Sequence, residues 1–194
     1  MEPNSQPNPL PDLHALTDQI REIYGRVVYS HKTQEKCADI LNNQHRLIKT
    51  WQLILSAFTT TSVLSRVFTG YDWTLAAAAI LSTIQFGFNA YLKEYDLGKV
   101  AQRHAESAND LLGIREAYFT LLTDIQSKLI RVEDVVAKRD QLEQDLLNIY
   151  KSAPRSFPSA YRAASKALKE MEEMTFSDAE IDKFLPNILR KCKN

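Results

Sequence analysis

Charged side chains recur every few positions along this chain except between Lys49 and Lys93, where only Arg66 and Asp72 interrupt an apolar run. The run divides into two uncharged stretches. The second, WTLAAAAILSTIQFGFNAYL, is the twenty residues from Trp73 to Leu92. As a helix it is about 30 Å long, which matches the hydrocarbon core of a bilayer. The first, TWQLILSAFTTTSVLS, is the sixteen residues from Thr50 to Ser65. It reaches only about 24 Å and needs flanking residues, a thinned bilayer or partner helices. RVFTGYD joins them, with Gly70 placed to turn the chain. The pattern predicts a helical hairpin that crosses a membrane twice. The competing reading is a buried helix pair inside a soluble bundle, because both stretches hold many small and polar residues. A soluble helix normally carries a charged outer face. The second stretch has none, and its Leu75, Ile80, Ile84, Phe86 and Phe88 point all around it. Trp51, Tyr71, Trp73 and Tyr91 lie at the ends, where amphipathic rings favour the membrane interface.

Outside this region the apolar positions keep a helical period. Leu13, Leu16, Ile20, Ile23 and Val27 recur at three- and four-residue steps. Gly25 is a candidate kink, and a second segment from about Ser30 leads into the first span. After Leu92, a stripe through Leu97, Ala101, His104, Ala108, Leu111, Tyr118 and Ile125 predicts a helix leaving the span unbroken to about Ser127. Another helix fits Glu133 to Tyr150, and Pro154 and Pro158 then punctuate the chain. Ser159 to Glu173 offers a small-residue face through Ala160, Ala163, Ala164 and Ala167. Ser177 with Glu180 matches a capping box that opens a helix through Phe184, ended by Pro186. The expected fold is all-α, an integral membrane hairpin of two transmembrane helices with cytosolic helices forming a bundle. Its divisions are a disordered lead (1–11), N-terminal cytosolic helices (12–49), the hairpin (50–92) and a C-terminal cytosolic helical region (93–194).

Composition narrows the function classes. Lysine plus arginine equal aspartate plus glutamate, 24 each, so net charge proposes no direct nucleic acid binding. Cys37 and Cys192 fall in no metal or redox spacing and fit a reducing compartment. MEPNSQPNPLP lacks the basic start and apolar core of a signal peptide. Lys32, Lys36, Arg46 and Lys49 precede the first span and Lys93, Lys99 and Arg103 follow the second, whereas the connection holds only Arg66. That bias puts both termini in the cytoplasm.

Candidate chemistry lies in polar side chains within the spans. Thr74, Ala78, Ser82, Gln85 and Asn89 fall on one face of the second, and Gln52, Ser56, Thr59 or Thr60 and Val63 make a matching stripe on the first. Polar groups in lipid need partners or water. Gln52, Ser56, Thr60, Ser82, Gln85 and Asn89 therefore either hold helices together or line a water-filled path. Tyr150, Arg155 and Tyr161, around the two prolines, are a candidate interaction surface, since tyrosine and arginine anchor interfaces. The alternative for each alone is a tight interhelical turn with solvated arginines. The histidines His14, His31, His45 and His104 show no ligand spacing, and no nucleophile elbow, Walker loop or zinc motif occurs. The expectation is a protein with no catalytic residues, no bound metal and no cofactor.

Three segments carry a family resemblance: RVVYSHKTQEKCAD (Arg26 to Asp39), NIYKSAPRSFPSAYRAASKAL (Asn148 to Leu168) and FSDAEIDKFLP (Phe176 to Pro186). Together with the two spans they resemble the SLATT family, two-transmembrane effector domains associated with bacterial conflict systems. The tail is similar to the subgroup with an APR segment and an EID-x-FLP ending. The resemblance implies a homo-oligomeric, pore-forming effector that permeabilises the bacterial inner membrane in anti-phage or abortive-infection defence. It also implies a separately encoded trigger, a nucleotidyltransferase or a reverse transcriptase. The alternatives are a membrane-anchored helical scaffold without a pore and a soluble helical adaptor.

Overall fold

The computed structural model describes residues 12–191, and the regular structure among them is all helical. Helix α1, Leu13–Thr69, runs unbroken for 57 residues, about 85 Å at 1.5 Å per residue. Asp12 caps its start by accepting from the His14 amide. Gly70 ends it at a left-handed φ of 77°, its amide donating to the Arg66 carbonyl, a conformation that glycine adopts without a Cβ penalty. Helices α2 (Trp73–Glu94) and α3 (Leu97–Gln126) return beside α1. Four pairs show the register: Gln52 with Asn89, His45 beside Gly98, Gln34 with His104, and Tyr24 with Phe119. One number falls as the other rises, so α2 and α3 form an antiparallel rail along α1. Helix α4 (Val132–Ser152) packs on α3, and α5 (Pro158–Lys169) packs on α1. Helix α6 (Asp178–Phe184) and a 3-10 turn at Asn187–Leu189 follow.

Three boundaries differ from the sequence expectation. The helix is not broken at Gly25 and no new segment begins at Ser30. Leu16, Ile20, Ile23 and Val27 pack continuously against α3 and α4, which outweighs the ~1 kcal/mol glycine penalty. The helix expected to continue unbroken out of the second span instead stops at Glu94. Asp96 caps a fresh start by accepting from the Lys99 amide at 3.0 Å. Helix α5 ends at Lys169, short of Glu173, because Glu172 and Met174 turn the chain with φ of 49° and 78°.

The main core is formed where α1, α3 and α4 meet. Leu16, Ile20, Ile23 and Val27 interdigitate with Leu111, Tyr118 and Leu121 of α3 and with Val135, Leu142 and Leu146 of α4. A second packing layer is built from small residues. Ala160, Ala164 and Ala167 of α5 are buried, as are Cys37 and Ala38 of α1 and Ala101 and Ala108 of α3. Thus the sequences on either side of the apolar run close into one helical body, and the α1–α2 tip projects from it.

Candidate functional site

The projecting tip has the solvent relations of a protein interior turned outward. Leu53, Phe58, Val67, Phe68, Leu75, Ile80 and Phe86 are all exposed, Phe68 to 83% and Phe86 to 73%. Among the described residues, the stretch Trp73–Gln126 is the one long and apolar enough to cross a membrane. Its best 18-residue window has a mean hydropathy of 1.4, and 6% of that window is buried. A core helix of a soluble body would be mostly covered. The corresponding part of α1 does not reach that apolarity by itself, because Gln52 and the run Thr59 to Ser62 dilute it. The hydroxyls of that run are satisfied within the helix. Thr59, Thr60, Thr61 and Ser62 donate to the carbonyls of Leu55, Ser56, Ala57 and Phe58 at 2.8, 3.0, 2.9 and 2.9 Å. This lowers the cost of placing them in a medium without water.

Each polar-stripe residue has a definite place. Thr74 and Ala78 are buried against α1, with Ala77, Leu81 and Gln85 half-buried beside them. On α1 the half-buried positions of this stretch are Gln52, Leu55, Ser56, Thr59, Ser62, Ser65 and Arg66. Thr60, Ser82 and Asn89 are exposed. Gln52 and Asn89 are brought together: the Gln52 Nε2 donates to Asn89 Oδ1 at 2.8 Å. Gln85 has no hydrogen bond among the described residues. At the tip, Arg66 donates to the Gly70 carbonyl and pairs with Asp72 at 2.6 Å. The two charges that interrupt the apolar run therefore neutralise each other.

In the body, the segment HKTQEKC of α1 is buried and polar. Gln34 donates to the Pro154 carbonyl at 3.2 Å and accepts from His104 Nδ1, which joins α1, α3 and the α4–α5 connection. Lys32 bonds Glu35 at 2.9 Å and Glu173 at 2.6 Å, and Lys36 reaches Glu173 at 3.5 Å. Burial pulls the Lys32 ammonium pKa down, but its bonds to Glu173 and Glu35 leave it raised. The Lys32 bond holds the Glu173 carboxyl below the ordinary glutamate range. Burial lowers His104, with Arg103 adding to the effect, and lowers His31 against the opposing pull of Glu35. Burial raises the Cys37 thiol.

Tyr150, Arg155 and Tyr161 converge on one cleft of about 390 Å³, together with Tyr29, Ser30 and Thr33 of α1. Ser30 Oγ and the Tyr150 hydroxyl are 3.0 Å apart, and the Tyr29 and Tyr161 rings lie 6.2 Å apart. Two segments 120 positions apart in sequence, around Ser30 and Tyr150, thus make one surface. The residues that sequence reasoning missed are Gln34, Lys32 and Glu173. A run of polar residues interrupting the apolar period of α1 was the available signal.

An all-helical body bearing an uncovered apolar helix long enough to cross a membrane points to a membrane protein. The chain matches the SMODS and SLOG-associating 2TM effector domain family 4 over residues 16–180 and belongs to that family. It is accordingly a membrane effector of conflict systems, a class that works with separately encoded nucleotide-signalling partners. No curated protein and no solved structure matches the chain.

Proposed function

We propose that α2 and the α1 segment from about Thr50 both cross the bacterial inner membrane, with both termini cytoplasmic, and that several copies assemble to permeabilise it during an anti-phage response. The observation that carries this reading is the uncovered apolar tip, with Phe68 and Phe86 largely exposed beside a body that buries its own apolar core. Seven basic residues flank the spans on the body side, and the one at the tip, Arg66, is paired with Asp72, in keeping with translocation of the tip. One hairpin supplies two helices and cannot enclose a path, so permeabilisation requires assembly. The trigger is a separately encoded nucleotidyltransferase or reverse transcriptase, and the chain itself acts without catalysis or a cofactor.

A second reading is favoured by one contact. The Gln52–Asn89 bond already gives both amides a partner, as a membrane-anchored scaffold without a pore would require. Inducible expression with a membrane-potential dye separates the two. The effector reading expects loss of potential when the protein is triggered. A fully inserted protein that leaves the potential intact supports the scaffold.

A further inference from the structure

After helix α5 the chain turns back onto α1 through a strained segment. Glu172 and Met174 both take a left-handed φ, 49° and 78°, a region that disfavours a side-chain-bearing residue roughly tenfold relative to glycine. Two such residues so close together persist only when their surroundings hold them. The hold is Glu173, which lies between them. Its carboxylate pairs with Lys32 at 2.6 Å and Lys36 at 3.5 Å, and its amide donates to the Ala167 carbonyl at 3.0 Å. Beside it, Arg115 donates to the Met174 sulfur at 3.7 Å.

Lys32 decides what this hold is worth. It is buried, and a buried ammonium without a partner is strongly unfavourable. Glu35, one turn further along α1, also pairs with it, at 2.9 Å. Withdrawing Glu173 would therefore leave Lys32 paired, return a carboxylate to water and relieve the backbone at Glu172 and Met174. Attraction and strain oppose each other in one short segment, so the closed form is held by a margin smaller than the ion pair alone.

The segment also covers something. Met174 and Phe176 form one wall of a groove of about 590 Å³ whose other wall includes Tyr24, Val28 and Phe119. Beyond Phe176 the tail closes on itself. Ser177 and Glu180 make their capping box, Lys191 bonds Asp178 and Asp182, each at 3.1 Å, and Arg190 donates to the Leu185 carbonyl. A segment swung off α1 would carry that unit with it and widen the groove in the same movement.

We infer that residues 172–176 are a sprung clip, closed across α1 in the resting body and able to open without unfolding the helices behind it. The clip grips the helix that continues unbroken into the apolar tip. Whatever binds the open form thus acts on that helix, by its differential affinity for the two states. The inference stands on the packing of the body and holds whether the inserted protein is a pore or a scaffold.

Hydrogen exchange of the full chain in detergent tests it, read by mass spectrometry on residues 170–176 with residues 111–118 of α3 as the internal reference. Local opening changes the first segment alone, whereas global unfolding changes both. Glu173→Gln is expected to lower protection of 170–176 about tenfold, the loss of one charge-assisted bond, and to leave 111–118 unchanged. Glu172→Gly, at an exposed position, is expected to raise protection of 170–176 by up to about tenfold, because glycine takes the left-handed φ without strain. The double variant falls between the two. Unchanged protection in Glu173→Gln, or lower protection in Glu172→Gly, overturns the inference. So does an equal loss over 111–118 in Glu173→Gln, which would make the ion pair a staple of the whole fold.

Discussion

Tyr118 is the largest fully buried side chain in the body, and its hydroxyl has no hydrogen-bond partner among the described residues. Burial and the nearby Glu143 push its pKa up to about 12. A buried hydroxyl left unbonded costs about 1–3 kcal/mol, so Tyr118→Phe is expected to raise thermal stability by about 1 kcal/mol. A fall in melting temperature would show that the hydroxyl is satisfied in solution. Acid acts on the polar layer around Lys32 in one direction. Glu173 has a lowered pKa in the folded state, so its contribution is complete above its unfolded value and is lost as pH falls through the folded one. His31 and His104 are also lowered, which means the fold prefers them neutral and loses stability as pH drops below about 6.5. Unfolding temperature should therefore fall from pH 7 to pH 4, and Glu173→Gln should flatten the lower part of that curve. A flat wild-type curve would contradict the assignment.

At the level of the elements, α1 owes its continuity to packing. A Cβ added at Gly25 would meet nothing within 4 Å. Gly25→Ala should consequently stabilise the helix by about 0.5–1 kcal/mol, read from denaturant unfolding. A destabilised variant would mean that the glycine serves as a hinge. Helix α2 poses the functional question through Gln85 and Asn89. Gln85→Leu with Asn89→Leu should preserve membrane insertion, since leucine is favourable at a helix centre by up to roughly 0.6 kcal/mol. If the pair lines a conducting path, the variant inserts and assembles but no longer depolarises triggered cells, because an apolar constriction dewets. If the pair is helix glue, assembly falls together with activity. Full depolarisation by an assembled double variant would remove the path-lining role.

Much of this architecture is legible in the residues because it depends on local properties. Absence of charge from Trp73 to Leu92, the Ser177–Glu180 capping box and the alanine face of α5 are each visible within twenty positions. The restart at Asp96 is local as well, but an apolar stripe running on through Leu97 masks it. The Gln34 bonds to His104 and Pro154 span 70 and 120 positions, and the pairing of α1 with the tail is set by the antiparallel register. No periodicity along one strand of sequence encodes that. The stripe on α2 was visible as a set of residues. Its division into buried Thr74 and Ala78, exposed Ser82 and an Asn89 bonded to Gln52 depends on where α1 lies.

The whole molecule is an apolar hairpin tip continuous with a polar-surfaced helical body, and both are built on α1. That continuity gives a direct way for an event at the body to reach the membrane, since no linker separates them. The central claim is that the tip crosses the bilayer twice and returns both termini to the same side. Labelling intact, untriggered spheroplasts with a membrane-impermeant maleimide tests it, using a cysteine placed in the α1–α2 turn by Tyr71→Cys and the native Cys192 as the internal control. The account predicts that the turn cysteine reacts in intact spheroplasts and that Cys192 reacts only after lysis. A turn cysteine that stays unreactive until lysis would contradict it.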